Sequence, residues 1–211
     1  LVSITGTPYD TMQTVIGWAH ESCGSLKEFG VSYDELPMRE GRVDMDGIPR
    51  IVTSEAKVAL VQRSRGYSER QPLSIADIRA VSARIKAANP NCIVFVDNCY
   101  GEFVETEEPT AIADVDIMAG SLIKNPGGGL APTGGYIAGR SDLVEMASYR
   151  LTAPGMGDEL GASLISNRLL FQGLFLAPHV VAQALKGAVF AAGIFEGLSC
   201  RTFPRFDEVR G

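Results

Sequence analysis

Residues 73–97 read "LSIADIRAVSARIKAANPNCIVFVD", a helix signal followed at once by a strand signal. Over 73–89, Ser74 is placed to cap a helix and Asp77 stands at the capping-box position. Ile78, Val81 and Ile85 then recur on one helical face. "CIVFVD" (92–97) is an almost unbroken apolar run that closes on an acid. A short continuous apolar run, rather than an alternating one, is the pattern of a strand covered on both faces.

The same units recur on either side. "LVSIT" (1–5), "KVALVQ" (57–62), "VDIMAGS" (115–121) and "GGYIAG" (134–139) read as further strands. "DTMQTVIGWA" (10–19) places Met12, Val15, Ile16 and Ala19 on one helical face, with Asp10 as its expected N-cap. Strands alternating with helices predict an α/β fold, a mostly parallel sheet with helices on both faces. Two helical stretches near the end, about 159–172 and 179–197, have little strand between them and read as a connector leaving the domain. His179 then follows Pro178 at a helix start, where capping or packing accounts for it.

At 211 residues there is room for one large domain or two small ones. The net charge is −6 and no stretch gathers Lys and Arg into a patch, which speaks against nucleic acid and anionic membrane surfaces as partners. Cys23, Cys92, Cys99 and Cys200 are scattered, with neither CxxC nor metal-ligand spacing, and neither His20 nor His179 has a partner at such spacing. No metal site is expected. The thiols read as reduced, in a cytoplasmic protein. "GLFLAPHVVAQALKGAVFAAGIFEGL" (173–198) is broken by Pro178, His179, Gln183 and Lys186, so a buried helix rather than a membrane span is expected. Position 1 is Leu, inside a strand-like run, and the chain stops as an extended segment begins; a piece of a larger protein is expected.

Ligands of open α/β sheets bind beyond the carboxyl ends of the strands. Tyr9, Asp97, Ser121 and Lys124 all follow such ends. A carboxylate closing an apolar strand is costly unless a donor or cation meets it. Asp97 is therefore either a turn or cap acid, or a carboxylate aimed at a protonated ring nitrogen, as pyridoxal phosphate chemistry requires. Ser121 and Lys124 form S-x-x-K, the spacing of penicillin-binding enzymes, but S-D-N and K-T-G are missing and "NPGGG" cannot continue the helix such a pair needs. A Walker loop is excluded because its glycines precede the lysine. What remains is a lysine on a loop near an acid at a neighbouring strand end. "QRSRGYSERQPLSI" (62–75) crowds Arg63, Arg65, Tyr67 and Arg70; it reads either as a solvated basic loop or as an anion site. "TAPGMGDELGAS" (152–163) reads as a mobile loop near the site or as a flexible connector. Cys99, two residues beyond Asp97, reads either as a small buried thiol or as a thiol near the site.

"VFVDNCYGEF" followed by "AGSLIKNPGGG" resembles the cystathionine/methionine lyases, pyridoxal-phosphate enzymes of the aspartate-aminotransferase fold type. Within them, "SITGTPYDT", "QRSRGYS", "VDNCYGEF" and "NPGGGLAPTGGYIAG" are similar to the methionine gamma-lyase-like or aluminium-resistance branch, and the likeness spans the whole chain. The resemblance implies the large domain of a fold-type-I enzyme. Residues 1–175 would be the cofactor-binding domain without its N-terminal part, 176–198 a connecting helix, and 199–211 the start of a C-terminal domain. It implies pyridoxal 5'-phosphate as cofactor. Lys124 would form the Schiff base and shuttle protons, Asp97 would hold the ring nitrogen protonated, Ser121 would contact the phosphate and Tyr9 would stack on the ring. Asp10 stands where the lyases carry glycine after that tyrosine. The implied activity is a carbon–sulfur lyase that eliminates a thiol from a sulfur-containing amino acid, giving a 2-oxo acid and ammonia, in a homodimer or homotetramer. Transamination, γ-replacement, or a non-catalytic role in metal tolerance are the alternatives. Retention of Lys124 and Asp97 argues for chemistry.

Overall fold

A computed structural model describes residues 1–18, 23–151, 153–157, 159 and 167–210. Six strands form one sheet: β1 (Val2–Ser3), β2 (Asp34–Glu35), β3 (Val58–Gln62), β4 (Ile93–Asp97), β5 (Ile117–Ser121) and β6 (Gly135–Gly139), in the order β2-β1-β3-β4-β5-β6. All pairs are parallel except β5 with β6. In register, Gln62 lies beside Asp97 and Asp97 beside Ala119, so the carboxyl ends of the three central strands finish together.

Among the described residues the helices are α1 (Asp10–Ile16), α2 (Ile48–Ile51), α3 (Ile75–Ala88), α4 (Ser141–Leu151) and α5 (Asn167–Gly197). The expected capping box of α3 is present: the Ser74 hydroxyl accepts from the Asp77 N–H at 3.1 Å and the Asp77 carboxylate accepts from the Ser74 N–H at 2.9 Å. Its Ile78, Val81 and Ile85 pack with Ile48 and Val52 against Val94 and Val96, which form one face of β4. The other face of that strand is only half buried. Phe95 and Asp97 lie there, and with Ala119 and Ser121 of β5 they line a cavity. At the amino ends of the strands Asp116 is buried. Its carboxylate takes Lys86 at 2.6 Å, the Val94 N–H at 2.7 Å and Arg140 at 2.9 Å. Burial alone would push this acid's pKa up, but the three donors outweigh it and hold the pKa below the ordinary value.

Several expectations change. Asp10 is the first residue of α1 rather than its cap; Tyr9 holds the cap position without a side-chain bond, and the Asp10 carboxylate takes the Thr11 N–H. Ile16 is the buried residue of α1, while Val15 is exposed and Ala19 lies outside the described residues. The helix stops at Gly17 after two turns, in the left-handed conformation glycine adopts freely, before a longer stripe can form. The two late helices are one continuous helix through Pro178; the stretch before 167 lies mostly outside the described residues. Gly173, Ala177 and Val181 recur every four residues as a buried stripe. Gly173 lies directly on Gly127 and Gly128 of the loop after Lys124, where either partner's Cβ would collide with backbone. The helix is thus clamped on both sides of Pro178, whose ring stays on the exposed side. Nor is α5 buried: Phe171, Phe175 and Phe190 are 69%, 84% and 70% exposed. With the polar interruptions absorbed into a single 31-residue helix, it is long and apolar enough to cross a membrane, by length and composition.

Candidate active site

Tyr9, Asp97, Ser121 and Lys124 line one cavity of about 650 Å³. They come from three strand ends and the turns after them: Tyr9 after β1, Asp97 at the end of β4, and Ser121 and Lys124 at the end of β5. Asp97 is the last residue of β4, and its carboxylate turns back to accept the Cys99 N–H at 3.1 Å. Ser121 ends β5, and its carbonyl accepts the Lys124 N–H at 3.2 Å, so three residues bring the lysine round to the cavity. A single 3-10 turn, Asn125–Gly127, follows and ends on Gly128 with φ +54. The "NPGGG" stretch therefore stops the chain from running on as helix and presents Lys124 at a loop shoulder.

The lysine sits among aromatic and acidic neighbours. Its Nζ is 4.3 Å from the Tyr100 ring centroid and 5.9 Å from that of Tyr9, both within cation–π range. Burial pulls its pKa down, but the Cys99 thiol, Tyr100 and Asp97 outweigh burial and leave the ammonium above its ordinary value. The neighbours responsible are a thiol, a phenol and a carboxylate. Cys99 moves the other way. Burial, then the Asp97 charge, pushes its thiol up to about 11, so it stands as a neutral S–H between Asp97 and Lys124.

Tyr9 is fixed through its backbone, whose N–H donates to the Gln62 side chain at 2.8 Å. Its hydroxyl meets the Tyr67 hydroxyl at 3.0 Å. Cys99, Tyr100 and Tyr67 line the same cavity and were not singled out as site residues in the sequence. For the first two the signal was there, since both lie in the turn directly after Asp97. Tyr100 holds φ +70, a conformation that a bulky residue adopts only under constraint. Tyr67 gave no such signal.

The guanidiniums of the arginine cluster are engaged by protein groups. Arg63 is 1% exposed and donates to the Leu73 carbonyl, Asn98 and Glu105. Arg70 is buried against the carbonyls of Gln62, Ser64 and Gln71, and that burial lowers its pKa to about 10. Arg65 stacks on Phe203 at 4.5 Å and donates to its carbonyl. All three guanidiniums hold protein to protein. Among the described residues, no group of three or more His, Cys, Asp or Glu is placed to hold a metal. His20 and most of 158–166 lie outside the described residues, as does part of the 152–163 loop.

The donor set fits pyridoxal phosphate: an amine for its aldehyde, a carboxylate for its ring nitrogen, an aromatic ring for its face and a hydroxyl for its phosphate, in one cavity. Lys124 is the one cation among the described residues lining that cavity.

The family model described as methionine gamma-lyase matches residues 1–211. The uncharacterized protein YnbB of Bacillus subtilis (strain 168) is 49% identical over all of this chain, which covers 50% of that protein. An uncharacterized 33.9 kDa protein encoded in the glnA 5' region of Lactobacillus delbrueckii subsp. bulgaricus is 46% identical over 96% of this chain and 67% of its own length. The solved structure of a carbon-sulfur lyase involved in aluminium resistance from Clostridium novyi NT superposes with a TM-score of 0.93 at 44% identity, covering 99% of this chain and 50% of that one. A methionine gamma lyase from Micromonospora echinospora, at 20% identity and a TM-score of 0.57, shares the fold. The chain thus spans about half the length of the first of these relatives and of the solved lyase.

Proposed function

Because the chain belongs to the methionine gamma-lyase family, we propose that its protein is a pyridoxal-phosphate-dependent carbon–sulfur lyase, eliminating a thiol from a sulfur-containing amino acid to leave a 2-oxo acid and ammonia. The fold is the large domain of the fold-type-I enzymes. The observation that carries the reading is the convergence of Tyr9, Asp97, Ser121 and Lys124 on one cavity from three strand ends. The cofactor supplies an aldehyde and an electron-withdrawing ring on which the pair left at Cα is stabilised. Lys124 would be the covalent anchor, and its free amine would take the Cα proton at Nζ. For that it must be neutral. Asp97 is among the groups that keep it charged, and a protonated ring nitrogen facing Asp97 would neutralise part of that influence. The same carboxylate would keep the ring nitrogen protonated. Ser121 would offer a hydroxyl to the phosphate, and the Tyr9 ring would lie against the cofactor ring.

We propose further that the enzyme works in the cytoplasm as a homo-oligomer. All four cysteines are free, in keeping with a reducing compartment. A phosphate dianion needs more positive charge than one lysine engaged elsewhere, and the exposed phenylalanines of α5 offer surface for another subunit to cover.

The test is an absorbance spectrum of the natural full-length protein with pyridoxal phosphate, before and after borohydride, with the labelled peptide mapped and released thiol compared with released 2-oxo acid. A reduced adduct on Lys124 and equal amounts of the two products are expected. A label on another lysine, or no thiol from any sulfur amino acid, defeats the reading. Asp97→Ala is expected to leave the borohydride-trapped adduct intact while turnover falls at least about 100-fold, the scale for losing one charge contact that acts in the transition state. Full turnover in that variant would remove Asp97 from the chemistry.

A further inference from the structure

Tyr67 is 82% exposed, yet its placement is not loose. Its hydroxyl lies 3.0 Å from that of Tyr9 and the two ring centroids are 5.5 Å apart. Both segments are tied to one buried side chain. Gln62, the last residue of β3, is 5% exposed; its Oε1 accepts the Tyr9 N–H at 2.8 Å and its Nε2 donates to the Ser64 carbonyl at 3.1 Å. Arg70 fastens the same stretch by donating to the carbonyls of Gln62 and Ser64. The turn that carries Tyr67 is closed by Gly66 at φ +58 and by Ser68, whose N–H and hydroxyl both return to the Arg65 carbonyl, at 3.2 and 2.7 Å. Two phenols meet at the cavity mouth because the end of one strand holds both of their backbones.

Resting on the lyase reading above, we propose that Tyr67 is a positioning residue of this site: its hydroxyl pairs with that of Tyr9 and orients the Tyr9 phenol beside Lys124. The pairing sets where that phenol ionises on the alkaline side. A substrate carboxylate and a cofactor phosphate are both negative, and Asp10 and Asp97 already stand near, so a phenolate formed at the mouth at high pH would repel them. The groups facing Tyr9 are Tyr67, Asp10, Tyr100 and the Lys124 ammonium, with Glu35, Arg65, Glu69 and Arg70 lining the groove on its other side. Of these, the Tyr67 hydroxyl bond is the main cause that pushes the Tyr9 pKa up to about 12, the Asp10 charge adding to it. Below that value the phenol is neutral. Without the bond, its ionisation should move down towards the ordinary phenol value of about 10.

Tyr67→Phe keeps the ring and deletes the hydroxyl. The titration of Tyr9 is isolated by following tyrosinate absorbance in four full-length proteins: wild type, Tyr9→Phe, Tyr67→Phe and the double variant, with circular dichroism confirming the fold at each pH. The wild type minus Tyr9→Phe difference gives Tyr9 with its partner, and the other pair gives it alone. The expected result is a fall from about 12 towards about 10. A loss of mere packing would not move it, because the phenylalanine ring still packs. An unchanged Tyr9 ionisation overturns the proposal. So does an alkaline limb of kcat/KM that stays in place in the holoenzyme while the titration shifts. The titration needs neither cofactor nor substrate. Its failure is therefore read separately from failure of the lyase assignment, which the borohydride label on Lys124 reports.

Discussion

Lys124→Ala should abolish the borohydride-trapped adduct and lower turnover by at least about 10³-fold, the scale seen when a covalent catalytic group is removed. The fold should be untouched. What shapes the turn is the backbone: the Lys124 N–H donates to the Ser121 carbonyl, Asn125 donates to the carbonyls of Tyr100 and Glu102, and Gly173 of α5 packs on Gly127. None of these uses the lysine side chain, whose contacts are cation–π and charge interactions at a half-buried position, each of modest worth. Lys124→Arg sharpens the test. It keeps the cation among Asp97, Tyr9 and Tyr100, but a guanidinium does not deprotonate at working pH and cannot form the adduct. If charge alone were the function of Lys124, the arginine variant would retain cofactor affinity and turnover. The covalent reading requires the adduct and turnover to be lost, whatever affinity Asp97, Ser121 and Tyr9 retain, with the urea midpoint of each variant near that of the natural protein.

That the lysine and the acid could be picked out in the sequence follows from how each is placed. Strand ends are marked by abrupt changes from apolar to polar residues, and "CIVFVD" and "VDIMAGS" carry that mark; parallel pairing then brings their ends together without further information. The capping box of α3 was equally plain because it is a local pattern with local partners. What escaped depends on partners far away in the chain. β2 is a two-residue polar pair that becomes a strand only by bonding to β1, too short to carry a periodicity, and α4 is amphipathic but buries no residue fully. Pro178 suggested a break between helices. The decision was made instead by Gly173 and Ala177 meeting the loop after Lys124, with Val181 buried one turn further on. Tyr67 joins the site through Gln62 and Tyr9, two contacts spanning more than fifty residues of chain, and no spacing rule announces such a contact.

The arginine run was the most ambiguous feature, and Arg63 resolves it with the second large effect. Arg63→Ala should destabilise the protein by roughly 3–5 kcal/mol, the cost of leaving buried partners of a charge without it. The guanidinium is 1% exposed and spreads its donors over three elements: the Leu73 carbonyl ahead of α3, Asn98 in the turn after β4, and Glu105 beyond it at 2.8 Å. Glu105 in turn accepts the Ile75 N–H at the start of α3 at 2.9 Å, and Asn98 donates to Glu108 and to the Tyr136 hydroxyl. Removing the arginine therefore strands acceptors on both sides of the sheet's carboxyl edge at once. Gly101 shows how closely the loop is moulded to it, because a Cβ there would overlap the guanidinium itself. A lysine could not repair the loss, since a single ammonium cannot reach three partners held in a fork. The site should feel the change through Asp97, whose carbonyl accepts the Arg63 N–H and whose following turn the side chain anchors. Urea unfolding of Arg63→Ala should show a lowered midpoint, and cofactor titration of the folded fraction should show weaker binding than the natural protein at the same pH. A midpoint within error of the natural one would mean that the guanidinium merely fills space. The folding of the "DNCYGEF" turn would then need another cause.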